Sequence, residues 1–355
     1  MSQKGSMVFR QVLRKCGMAI VAAAALGGAS KGAVAPDDYR ATFEALRAAD
    51  IRLQRIGERL ATANAALCDR RQPALGVALH GPDQYLGDAK AAAIAHFAFS
   101  SPLGIAGTVP GGAADKAGLQ ADDSIVSIAG RGVDTLTPGP DDTAATARLA
   151  AFDRFVATLP DATPLSIEVR RAGAVMAREA TPRPACRARF EQRDADDADV
   201  SADGVLVQIS SRLLGELDDE GVAVLLAHEL AHNVLSHRRR LDQAGVRRGL
   251  LAGFGRNVGL FRQTEVEADV LAVHLLARAG YDPELGARFW QSFGPRYAGG
   301  LRLRTHPAWR DRVATMMAEA PRARAAMAEG RMPALIASRN RPLDGNWQAL
   351  LVEAD

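Results

Sequence analysis

Apolar residues recur in alternating steps of three and four through Tyr39, Phe43, Leu46, Ala49, Leu53, Ile56, Leu60, Ala63 and Leu67. That is the period of one helix face. Charged residues fill the other faces, so residues 37–67 are predicted to form one amphipathic helix that packs on a neighbouring domain. From about residue 74 to 178 the texture changes: glycine and proline become frequent and apolar runs become short. The stretch from Val109 to Gly130 reads as strand, turn, short helix, turn, strand. Phe152, Phe155 and Leu159 mark a further helix, and Leu165 to Arg170 alternates like a half-buried strand. Val205 to Ile209 has β character, with Ser201 to Gly204 as the preceding turn. Beyond it Val222, Leu225, Leu226, Leu230 and Val234 return to helical spacing, with Asp218 and Asp219 at the start and Arg238, Arg239 and Arg240 at the end. A second long helix carries Val270, Leu271, Val273, Leu275 and Leu276, with Glu265, Glu267 and Asp269 in its first turns. After Pro321 the chain is rich in alanine and arginine and ends with Trp347, Leu350 and Leu351, a short packed helix with no chemistry of its own. The expected class is α+β: a mostly helical domain with a small edge sheet, plus a small β-rich domain.

The 355 residues suffice for two or three domains. The formal charge of +3 is misleading. Lys4, Arg10, Arg14, Lys15 and Lys31 precede Pro36 and no acid does, so residues 36–355 hold 39 basic against 41 acidic side chains, a net charge of −2. Such a chain has no global attraction to nucleic acid. Residues 1–35 have the form of a secretory signal, with basic residues, an apolar run from Cys16 to Leu26, then small residues. Ala33-Val34-Ala35 offers a cleavage site, and a cut near Ala29 is the alternative. An uncleaved anchor is the other reading of this segment, although its apolar run is short for a span. Leu250 to Phe261 is also too short, and Arg256 interrupts it; it is read as a flap rather than a span. Gly253 to Gly259 misses the spacing of a phosphate loop. With Cys16 in the leader, Cys68 and Cys186 are the only remaining pair. They bracket the β-rich stretch, so in an oxidising compartment a disulfide is expected; the alternative is two buried thiols.

The chemistry concentrates in His228-Glu229-Leu230-Ala231-His232. Residues four apart share a helix face, so the two imidazoles can grip one metal ion, and zinc suits them. Glu229, about 100° round the helix, can reach a water that the metal acidifies and take its proton. The bland alternative is a chance pentapeptide on a buried helix. A third ligand is sought downstream, and Glu265 is the candidate. Asp269, four residues on, can hold a histidine ring from behind. An acidic helix start favouring its own dipole is the competing reading, most of all for Glu267. His237 is read as structural, a cation near a helix end, and His274 as a core histidine.

The chain resembles the zinc metallopeptidases that include HtpX, the OMA-type peptidases and the CAAX prenyl proteases. Four elements carry the resemblance: His228 to His232, Glu265-x-Glu267-Ala268-Asp269, Ala279-Gly280-Tyr281-Asp282-Pro283, and Thr305-His306-Pro307 with Arg312. It implies one zinc ion per chain on His228, His232 and Glu265, Glu229 as catalytic base, and a short sheet whose edge holds substrate. His306 would lie near the metal as an oxyanion partner or resting ligand; helix capping is its alternative. Val109 to Gly130 resembles the core of bacterial PDZ domains, with Leu75-Gly76-Val77 as the loop that would receive a peptide carboxylate. The expected layout is a signal at 1–35, an amphipathic helix at 36–70, a PDZ-like domain at 74–178, a metallopeptidase domain at 186–320 and a tail at 321–355. The expected protein is a periplasmic or secreted zinc endopeptidase. It acts on polypeptides and has no nucleic-acid partner and no stable transmembrane span after signal removal. The rival is a PDZ-based peptide-binding protein or chaperone with a latent zinc site.

Overall fold

The computed structural model describes residues 36–246, 256–297 and 306–351. The signal-like leader and the first half of the flap at Leu250 to Phe261 lie outside the described residues, and from Arg256 the second half is helical rather than a flap. The described residues fall into two compact units, one of residues 36–54 and 73–183, the other of 55–72 and 184–351. Helix α1 (Pro36–Ala63) contributes to both, its residues up to Gln54 to one and those from Arg55 to the other. It is shorter than its apolar stripe predicts. Asn64 is fully buried and donates its amide to the carbonyls of Leu60 (2.9 Å) and Leu275 (3.0 Å), and the chain tightens into a 3₁₀ turn over Ala65–Leu67.

In the first unit, strands β2 (Val77–His80), β3 (Gly104–Thr108), β4 (Ser124–Ile128), β6 (Leu165–Arg171) and β7 (Ala174–Ala180) form one antiparallel sheet in that order, and β5 (Arg131–Gly132) pairs with β4. The alternation along β6 puts Leu165, Ile167 and Val169 into the core, with Leu103, Ile105, Ile125, Ile128 and Phe152. The loop Ala172–Gly173 has positive φ at both residues (47° and 85°), which matches the twist of a tight hairpin between β6 and β7. Three helices accompany the sheet: α2 (Asp88–His96), α3 (Ala113–Lys116) and α4 (Ala147–Val156). A separate aromatic cluster joins Tyr39 and Phe43 to Tyr85 and Phe97, with the His80 ring 4.5 Å from Phe97.

β1 (Arg71–Ala74) and β8 (Arg183–Cys186) pair where the chain leaves for, and returns from, that sheet. Cys68 and Cys186 are joined as a disulfide across a sequence separation of 118 residues, with Cα atoms 5.4 Å apart. In the second unit β11 (Leu206–Ser210) lies between β9 (Arg189–Arg193), which runs parallel to it, and β10 (Val200–Ala202), which is antiparallel. The turn before β11 is Asp203–Val205 rather than Ser201–Gly204. Asp203 caps it by accepting from the amides of Val205 and Leu206, and Gly204 takes φ 105°. Helices α5 (Ser211–Glu216), α6 (Asp219–Val234), α7 (His237–Gln243), α8 (Arg256–Arg278), α9 (Leu285–Tyr297) and α10 (Trp309–Ala328) follow. Helices α6 and α8 pack on each other, and α8 packs on α10. Helix α6 is buried nearly all round, from Gly221 to Ala231, as befits a central helix. It ends at Val234, so the arginines at 238–240 belong to α7. Among the described residues no helix is long and apolar enough to cross a membrane.

Candidate metal centre

Asp218 starts α6 by accepting from the Gly221 amide at 2.8 Å. The helix then presents His228 and His232 one turn apart, their Nε2 atoms 3.1 Å from each other. Helix α8 brings Glu265 across from them. Its Oε2 lies 3.3 Å from His228 Nε2 and its Oε1 3.6 Å from His232 Nε2. Ligands at ~2.0–2.1 Å from a tetrahedral zinc ion stand about 3.3 Å apart, so these three atoms describe one face of such a tetrahedron. Glu265 Oε2 is buried and makes no well-formed hydrogen bond, although the rings of His228 and His306 flank it. It awaits a cation.

The atoms behind the ligands decide which nitrogen is free. His228 Nδ1–H donates to Asp269 Oδ1 at 2.9 Å, because an ionised carboxylate only accepts. Asp269 is fixed in turn by Arg312, whose Nε donates to Oδ2 at 2.6 Å and whose guanidinium carbon sits 3.6 Å from the centre of the Trp290 ring. On the other side His237 Nε2–H donates to Glu267 Oε2 at 3.0 Å. Its Nδ1 then accepts from His232 Nδ1–H at 2.9 Å. With both rings neutral, each histidine keeps a lone pair on Nε2, facing the same point as Glu265. Three acceptor atoms then converge, which is the arrangement a divalent metal stabilises.

The electrostatics agree. Burial opposes the charge on Glu265, but His306 and His232 overcome it and hold the carboxyl well below its usual range. Burial also drives His232 well below the ordinary histidine value. For His228 burial pulls down, yet the carboxylates of Asp269 and Glu265 outweigh it and lift the pKa to about 10 in the protein alone. The pocket thus demands a positive charge, and a metal ion would displace that proton. Glu229, buried beside His228, is pushed up to about 7, chiefly by burial.

Of the residues the sequence singles out, the structure brings His228, His232, Glu265, Asp269 and His306 together, with Glu229 next to His228 on α6. His306 is partly exposed, with Nε2 3.1 Å from Glu265 Oε2. It does not cap α10, whose N-cap position is Ala308. His274 is turned elsewhere and bonds Glu319 at 2.8 Å. Two readings need correction. Glu267 does not sit at a helix start, since α8 already runs from Arg256; it is buried and clamped by Arg240 through both carboxylate oxygens. His237 is not a cation at a helix end. It is neutral by burial, opens α7, and orients His232. In a continuous helix a residue five positions on would lie about 140° away. Ser236, held left-handed at φ 55°, breaks the helix and returns the His237 ring to within 4.8 Å of His232. No spacing rule could have found it.

Residues 244–320 match peptidase family M48. That segment contains Glu265, Asp269, His306 and Arg312 and begins shortly after the histidine pair on α6. A region of 132 residues is 29% identical to the mitochondrial metalloendopeptidase OMA1 of Saccharomyces cerevisiae, covering 30% of this chain and 38% of that protein. Over these residues the chain is similar to the HtpX/OMA-type metallopeptidases, and it spans little more than a third of the length of that relative. M48 metallopeptidases are zinc-dependent, and the His228–His232–Glu265 set, with its two buried carboxylate-backed imidazole chains, fits such an ion.

Proposed function

We propose that this chain is a zinc-dependent endopeptidase that hydrolyses exported polypeptides, with one zinc ion per chain held by His228, His232 and Glu265. The observation that carries the reading is the convergence of His228 Nε2, His232 Nε2 and the Glu265 carboxylate beside a buried Glu229. When bound, zinc supplies Lewis acidity for the scissile carbonyl and for an attacking water. Glu229 takes the proton from that water and hands it to the leaving amine. A pKa raised by burial suits a group that must both accept and release a proton. Asp269 keeps the His228 ring oriented. His306 offers a hydrogen bond to the oxyanion as it develops. Strand β10 pairs only with β11 among the described residues and runs beside α6, so its open edge suits an extended substrate.

The first unit is read as a PDZ-like domain at 74–178 that binds or gates substrate. The edge strand β2, the core helix α4 and Gly76 at φ 73° just before β2 support this reading. A peptidase domain at 186–320 and a tail at 321–355 complete the layout. Periplasmic or secreted localisation rests on the signal-like residues 1–35 and on the disulfide. The test pairs zinc quantification with proteome-wide cleavage profiling of wild type and Glu229→Gln. One zinc in both, with cleavage only by wild type, is expected. Peptide retention without cleavage at saturating zinc would instead favour the binding-protein reading.

A further inference from the structure

The C-terminal tail, which carries no legible chemistry as sequence, runs into the back of the metal centre. Arg240 is 2% exposed and spends Nη1 and Nη2 on Glu267. Its Nε donates to the backbone carbonyl of Arg341 at 2.9 Å. Gln263 likewise faces both ways. Its amide nitrogen donates to Glu267 Oε1 at 2.9 Å, while its carbonyl accepts from the amides of Asp344 (3.1 Å) and Gly345 (2.8 Å). Leu343 is buried against Leu241, Val246 and Leu260, which pins this strap between α7 and α8. Arg262 stacks over Trp347 at 4.8 Å.

We infer that residues 339–347 are a positioning strap for the metal ligand His232. The strap completes the hydrogen bonds of Arg240 and Gln263, these two hold Glu267, Glu267 holds His237, and His237 sets the tautomer and ring angle of His232. The physical reason is satisfaction. A buried guanidinium and a buried amide keep one geometry only while every polar atom has a partner, and an orphaned one costs about 1–3 kcal/mol. Without the strap, water must enter beside Glu267 and the chain of fixed donors slackens toward His232. No other tail residue needs to touch the metal.

The inference rests on His232 being a metal ligand, and the experiment separates the two. Full-length protein, Gln263→Met, Leu343→Ala, a truncation after Ser338 and the control Arg288→Ala, whose exposed ion pairs are to Asp282 and Glu284, outside the strap, are titrated with zinc against a chromophoric chelator. The visible spectrum of the cobalt(II)-substituted forms is recorded, with the unfolding midpoint of each metal-free protein. Gln263→Met and the truncation should bind zinc roughly 10-fold more weakly, the range for loss of outer-sphere support, with an altered cobalt spectrum. Leu343→Ala should move the same way, and it decides the matter should the truncation fail to fold. His237→Phe should weaken binding by about 10–100-fold, with partial rescue in His237→Gln. Unchanged zinc affinity and cobalt spectra in Gln263→Met and Leu343→Ala, whatever their midpoints, would overturn the strap. A wild-type protein that binds no zinc at all would overturn the ligand assignment itself.

Discussion

Replacing Glu229 by glutamine removes a proton acceptor and keeps the shape, so it isolates one role. Turnover should fall roughly 10²–10⁴-fold, the usual worth of a positioned base, with zinc content unchanged by elemental analysis. His228→Ala should instead lower zinc content, because it deletes a ligand and strands Asp269 and Arg312 behind it. A second histidine makes a prediction remote from the metal. His80 is buried in the aromatic cluster, and burial, with lesser repulsion from Arg47 and His96, lowers its pKa to about 3. The unfolded chain takes up that proton near pH 6.5, so between about 3 and 6.5 it binds more protons than the folded form. Stability from this group is complete above pH 6.5 and drains away as pH falls toward 3. Urea midpoints measured from pH 7 to 4 should drop less steeply in His80→Phe than in wild type. At this scale the residues that cluster are readable because a metal-binding reading looks for a fixed spacing: His228 and His232 at four, Glu265 and Asp269 at four. His237 is not, because a left-handed serine and not a period places it.

That serine matters for helices as units. A left-handed non-glycine residue costs about 1–2 kcal/mol, and Ser236 carries φ 55° between α6 and α7. Ser236→Gly should therefore be neutral to modestly stabilising in thermal unfolding. Ser236→Val should lose more than about 1 kcal/mol and weaken zinc binding as well, since it rotates His237 away. Elements whose burial is apolar announced themselves: the stripe of α1, the core helix α6, the alternation of β6. The start of α8 did not. Arg262 and Gln263 interrupt its apolar rhythm, and Gln263 is buried only because tail amides satisfy it. The strap was silent for a related reason. It bonds through the Arg341 carbonyl and the Asp344 and Gly345 amides, and backbone groups carry no residue identity.

For the molecule as a whole, the disulfide sets the largest covalent constraint. Closing a loop of 118 residues is worth at most about 5 kcal/mol in the chain-entropy account. A Cys68→Ser/Cys186→Ser protein should accordingly melt several degrees lower, and mass spectrometry of the purified, non-reduced wild type should find neither thiol free. The cysteines were legible as a pair because they alone flank the change in texture. That α1 would serve both units was not, since its stripe is continuous and says nothing about what covers it. The same bond has a consequence for how a cut in this chain would be detected. A nick anywhere between residues 69 and 185 leaves both pieces tethered, so clipped and intact molecules migrate together until a reductant parts them. Damage to this stretch stays hidden from any separation by size that preserves disulfides.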